Sequence, residues 1–92
     1  MKKLFIAAFI FASTFTANSF AEIKMGIILG FTGPIESLTP AMAASAELAF
    51  KEASDSGSLL GGKTITPIRA DSTCVDSAAA QSAAEGLISE GI

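Results

Sequence analysis

The chain has 92 residues, half of them apolar, with six lysine and arginine side chains against nine aspartates and glutamates, a net charge of −3 and no histidine, tyrosine or tryptophan. The cations are scattered, without the basic stripe that neutralises nucleic-acid phosphates, so nucleic acid is not an expected partner. With no histidine and a single cysteine, Cys74, histidine-based metal sites, cysteine clusters and Ser-His or Cys-His nucleophiles are excluded.

Lys2 and Lys3 open the chain, and Leu4 to Phe11 follows without a charge, the pattern of a secretory signal. This apolar run is well short of the roughly 20 residues that span a bilayer, which decides against a membrane anchor. Ser19 and Ala21 place small residues where a signal peptidase reads them, so cleavage is expected after Ala21. Glu22 rather than cysteine follows, which argues against a lipid anchor at this site. Residues 1–21 are therefore read as a signal peptide, and loss of Lys2 and Lys3 takes the net charge from −3 to −5. A lone cysteine in an oxidising compartment leaves two readings open, a buried free thiol or a bridge to a residue beyond position 92.

Ile23 to Gly30 is nearly continuous in apolar residues and rich in isoleucine, which predicts a strand buried on both faces of a parallel sheet. Thr32-Gly33-Pro34 breaks it. Thr39 then reads as a helix N-cap with Pro40 at the first helical position. From Pro40 to Ser54, Met42, Ala46, Ala49, Phe50 and Ala53 recur at helical spacing and predict one buried face. Glu47, Lys51, Glu52 and Asp55 fall off that face, with Glu47 placed to pair with Lys51, and Gly57 suits the left-handed helix stop.

Leu59 to Gly62 is a turn, and Lys63 to Ala70 is a second strand. Pro67 within it cannot donate to a ladder, so this strand is expected at a sheet edge. A second helix opens at Asp76 as N-cap, with Ala80, Ala83, Ala84, Leu87 and Ile88 on one face, Val75 and Ala80 as a weak staple, and Gly91 as its stop. The order strand, helix, strand, helix predicts an α/β fold, the start of a doubly wound parallel sheet with right-handed crossovers. Two strands do not bury two helices, so residues 22–92 are read as part of a larger domain.

The glycines after the first strand, with Asp71 ending the second, raise a dinucleotide-binding reading. Gly30-Phe31-Thr32-Gly33-Pro34 does not meet the Gly-x-Gly-x-x-Gly spacing that lets backbone approach a pyrophosphate. Glu47, Glu52, Asp55 and Glu90 read as solvated helix surface rather than catalytic carboxylates. Phe31 to Thr39 lies at the carboxyl end of the first strand, where open α/β sheets bind ligands, and it reads equally as a plain turn and as a pocket rim.

In order and spacing, Ile23-Lys24-Met25-Gly26-Ile27, Thr32-Gly33-Pro34, Ala46-Glu47-Leu48-Ala49, Leu60-Gly61-Gly62-Lys63 and Asp71 with Cys74 and Asp76 resemble the amino-acid-type periplasmic binding proteins of ABC transporters, in the leucine/isoleucine/valine-binding branch. The resemblance covers essentially all of residues 22–92. It implies the first lobe of a two-lobed, hinged fold that closes on a small solute, an amino acid or related amide, and delivers it to an inner-membrane ABC permease. It implies a periplasmic protein, monomeric at full length, that is not an enzyme and needs no cofactor or metal. A ligand-sensing receptor of the same fold is the alternative. Thr32, Gly33, Ser37 and Leu38 are the ligand-binding residues it implies. An aromatic residue can stand at the position of Leu38 in the family; leucine here supplies apolar contact without ring stacking. The resemblance also implies that Cys74 bridges to a cysteine beyond residue 92.

Overall fold

The computed structural model describes residues 22–92, and the expected signal peptide lies outside the described residues. Strand β1 spans Glu22–Leu29 and strand β2 Thr64–Asp71, with helix α1 (Thr39–Asp55) between them and helix α2 (Ser77–Ser89) after β2. The strands pair in parallel, from Glu22 opposite Thr64 to Leu29 opposite Asp71. A parallel pair cannot be joined by a tight turn, so the chain returns through α1 and a short turn at Leu59–Gly61. The result is an α/β arrangement of one two-stranded parallel sheet and two helices. Every element lies within a few residues of its expected bounds.

Side-chain alternation sorts the strands onto two faces. Met25, Ile27 and Leu29 share one with Pro67, Arg69 and Asp71, and α1 lies there, its Glu47 paired with Arg69. Gly26 and Ile28 share the other with Ile68 and Ala70, and α2 lies there, its Leu87 packed on Gly26. A Cβ at Gly26 would come within 2.6 Å of Leu87 Cδ1, so glycine makes room for the largest fully buried side chain. Lys24 Nζ donates to the Glu90 carbonyl at 3.2 Å, a cation placed at the negative end of α2.

Burial is concentrated in few residues: Ala43 at 0%, Leu87 at 2%, Ile27 at 9% and Thr39 at 0% exposure. The expectation that β1 is buried on both faces therefore holds for Ile27 and fails for Met25 and Ile28, which stay about two-fifths exposed. The reason is that β2 is its one strand neighbour among the described residues and α1 sits mainly over β2. β2 accommodates Pro67 opposite Met25 with β1 as its single neighbour among the described residues, the place a missing N–H tolerates.

The helices are as expected in extent, and their buried faces are as expected except at a few positions. In α1 the inward side is Ala43, Ala46, Phe50 and Ala53, while Met42 and Ala49 face out. Glu47 is half-buried and bonds to Arg69 rather than Lys51, and Lys51 pairs with Asp55 instead. Thr39 is not the N-cap. Leu38 holds that place without a side-chain bond, and Thr39 is the first helical residue. In α2, Leu87 is buried but Ile88 is exposed, and Val75 is too exposed to staple against Ala80. Asp76 caps α2 as expected, accepting from Ala78 N–H at 2.9 Å and Ala79 N–H at 3.4 Å. The helix stops with Gly91 at φ 82°, its N–H on the Ile88 carbonyl and the Ile92 N–H on that of Leu87, the paired bonds of a Schellman motif.

Candidate functional site

Both strands point their carboxyl ends at one edge of the sheet, where the loop from Gly30 to Leu38 meets the loop from Ser72 to Asp76. The loops touch at backbone distance. A Cβ at Gly30 would lie 2.8 Å from Cys74 Cβ and 3.1 Å from the Thr73 carbonyl carbon. Gly33, at φ 100°, leaves no room for a Cβ either, which would lie 2.9 Å from the Thr73 oxygen. The Ser72 N–H continues the sheet by donating to the Leu29 carbonyl at 2.9 Å.

Asp71, the last residue of β2, binds the two loops together. Its Oδ1 accepts from the N–H groups of Phe31 at 2.9 Å, Thr32 at 3.3 Å and Thr73 at 2.9 Å. Its Oδ2 accepts from the Thr32 hydroxyl at 2.6 Å. The Thr32 hydroxyl, aided by the N–H groups of Thr73, Thr32 and Phe31, holds the carboxyl below the usual aspartate range. Thr39 secures the loop from the helix side: its buried hydroxyl donates to the Gly30 carbonyl at 3.0 Å. A helix-starting threonine thus ties the end of β1 to the start of α1.

Phe31 is held from its ring as well as its backbone. The Arg69 guanidinium lies 5.4 Å from the ring centroid, within cation–π range. Arg69 is itself fixed by Glu47, Nε to Oε1 at 2.6 Å and the outer nitrogen to Oε2 at 2.9 Å. This fork lowers the Glu47 pKa and raises that of Arg69, in each case mainly through the side-chain hydrogen bond. Arg69 and Asp71, two apart on one face of β2, hold one loop residue by its ring and by its main chain.

Thr32 and Gly33 stand together at this edge, exposed, against the β2–α2 loop. Ser37 and Leu38 stand at the entrance to α1, both exposed, Leu38 at 61%. The turn joining them to Gly33 is closed by the Glu36 N–H on the Gly33 carbonyl and the Leu38 N–H on that of Ile35. Cys74 is exposed and free, at φ 66°, next to Thr73 at φ 57°. Two successive non-glycine residues in the left-handed region are uncommon, and the Thr73 hydroxyl is buried with no hydrogen-bond partner among the described residues. On the outer side of this loop, an open hollow of about 280 Å³ is lined by Ser72, Cys74, Val75, Asp76, Ser77 and Ala80.

Sequence reasoning marks Asp71 as the residue that ends the second strand but not as the group that binds the two loops, and it does not single out Arg69. An aspartate ending a strand beside a Thr-Gly loop is the signal for the first; for the second, nothing in the sequence singles out Glu47 as its partner. Asp71 also bears on the dinucleotide reading, since its carboxylate faces Phe31 and Thr32 and is engaged there. Among the described residues no group of three histidine, cysteine, aspartate or glutamate side chains could hold a metal ion, and no helix is long and apolar enough to cross a membrane. Comparison with protein-family models, with curated proteins and with solved structures finds no match.

Proposed function

We propose that residues 22–92 belong to the first lobe of an exported solute-binding protein that captures an amino acid or related small amide for an ABC importer of the inner membrane. The observation that carries the reading is the edge where Thr32-Gly33 is pinned by Asp71 at the carboxyl ends of two parallel strands. This is the end of an open α/β sheet at which small molecules bind. A second support is the placement of α2 opposite α1. Right-handed crossovers put helices on opposite faces when the chain moves outward from β1 to β2 and then back past β1, the winding of a doubly wound lobe.

In this proposal Thr32, Gly33, Ser37 and Leu38 form one wall of the cleft, with Leu38 supplying apolar contact. Cys74, exposed beside the same loop, would bridge to a cysteine beyond residue 92. The chain performs no chemistry on its solute and needs no cofactor; its work is to close on the solute and present it to the permease from the periplasm.

The test is a thermal-shift screen of the full-length protein against leucine, isoleucine, valine, other amino acids and short amides. A ligand that binds only the folded state raises the melting temperature by mass action, by several degrees when its concentration is about a hundredfold above Kd. Absence of any shift across the panel would remove the proposal.

A further inference from the structure

Four donors surround the tip of the β1–α1 loop: the N–H groups of Phe31, Thr32 and Thr73, and the Thr32 hydroxyl. All four point at Asp71. A hydroxyl has one hydrogen and two lone pairs. With its hydrogen committed to Oδ2 at 2.6 Å, Thr32 Oγ1 has only acceptor capacity left for anything that approaches it from outside.

Several other donors near this edge are engaged too. In the first turn of α2 the N–H groups of Ala78 and Ala79 are capped by Asp76. At α1, Pro40 has no N–H, and those of Thr39 and Met42 bond to the carbonyls of Ile35 and Leu38. Arg69 is committed to Glu47 and to the Phe31 ring. Residues 30–39 and 71–77 contain three carboxylates, Glu36, Asp71 and Asp76, and no lysine or arginine. Charge agrees with the hydrogen-bond polarity at Thr32: this side of the edge offers an acceptor and negative charge, while the Ser37 hydroxyl, at the entrance to α1, can donate as well as accept.

We infer that Thr32 presents a hydrogen-bond acceptor to the solute and that Asp71 is the positioning residue that sets this polarity, so the Thr32 side of the cleft receives the solute's donor group, an ammonium or amide N–H, and not its carboxylate. The inference rests on the solute-capture proposal above.

Asp71→Asn tests it. An asparagine oxygen can still accept the three backbone N–H groups, while its NH₂ now donates to Thr32 Oγ1 and frees the hydroxyl hydrogen to point outward. Calorimetric titration of the full-length protein would use three probes: leucine, isoamylamine, which lacks the carboxylate, and isocaproate, which lacks the ammonium. Selectivity for leucine over isocaproate should shrink about tenfold in Asp71→Asn and in Thr32→Val, the scale of one hydrogen bond to a charged group. Isoamylamine should weaken in step with leucine, and Thr32→Ser, which keeps the hydroxyl, should restore the wild-type ratio. Circular dichroism of each variant reports its folding separately. A purely structural role for Asp71 would weaken leucine and isocaproate alike; that result, or an unchanged ratio in both Asp71→Asn and Thr32→Val, overturns the inference while leaving solute capture standing. Should the wild type bind none of the three probes and show no thermal shift across the wider panel of amino acids and amides, amino-acid capture and this inference fall together; where another amino acid is the ligand, its own amine and carboxylate analogues serve as the probes.

Discussion

Gly30→Ala should be among the most damaging single-methyl additions to this chain. Gly30 does not occupy the left-handed region, so backbone conformation is not what alanine would violate. Space is. The added Cβ would meet Cys74 Cβ at 2.8 Å, the Thr73 carbonyl carbon at 3.1 Å and its oxygen at 3.2 Å, against roughly 3.5–4.0 Å for relaxed carbon contacts. These are main-chain atoms and a Cβ, not the tip of a side chain that can swing away, so the two loops must separate. Separation by about half an ångström or more would stretch the Asp71 bonds to Phe31 and Thr32. Overpacking costs about 1–3 kcal/mol, and one weakened hydrogen bond adds about 1 kcal/mol, for a total of about 2–4 kcal/mol. Urea unfolding of the full-length protein followed by circular dichroism measures it, with Gly86→Ala as the internal contrast. Gly86 lies inside α2 with nothing within 4 Å of an added Cβ, so alanine there should stabilise by up to about 1 kcal/mol. A neutral or stabilising Gly30→Ala would refute the claim that the loops meet at this glycine.

Leu87→Ala removes the largest fully buried apolar side chain and opens a cavity against Gly26. It should destabilise by about 2–5 kcal/mol in the same urea assay. Asp71 has a folded pKa below its unfolded value, so it contributes stability above the unfolded pKa that is lost as the pH falls through the folded pKa. The unfolding midpoint should therefore decline on acidification below about pH 4, and part of that decline should vanish in Asp71→Asn. In wild-type NMR spectra the amide signals of Phe31, Thr32 and Thr73 should shift together over the same acid range; three independent midpoints would contradict a shared carboxylate.

The elements were legible because their signals are local. A run of isoleucines, a proline at a helix start, Asp76 before an alanine-rich stretch and Gly91 after it each act over a few residues, and each lies where expected. The helix faces were less legible. With six alanines among the 17 residues of α1, the expected face, which included Met42 and Ala49, and the observed one, which has Ala43 in their place and keeps Ala46, Phe50 and Ala53, differ little in apolar content, and the contact with β2 selects the second. β1 read as doubly buried because composition reports the environment a strand suits, whereas Met25 and Ile28 are covered only in part by the described residues. At the site, Thr32 and Gly33 were readable as a loop at a strand end. Their attachment was not, since Asp71 is 39 residues from Thr32 along the chain and the bond exists only once β1 and β2 are in register. Thr39 shows the same limit: a threonine before proline reads as a cap, yet its hydroxyl turns back to the Gly30 carbonyl.

The web of bonds around Asp71 also decides where this chain can absorb changes in length. Surface connections are ordinarily the segments most tolerant of insertion, but an extra residue between Phe31 and Gly33 would carry Thr32 out of register with the carboxylate and push Gly33 into Thr73. The connection at the far edge of the sheet is built differently. Gly57 and Gly61 there have open space around them, so tags, probes or grafted sequence belong between Ser56 and Gly61, and the Phe31–Gly33 segment should keep its native length.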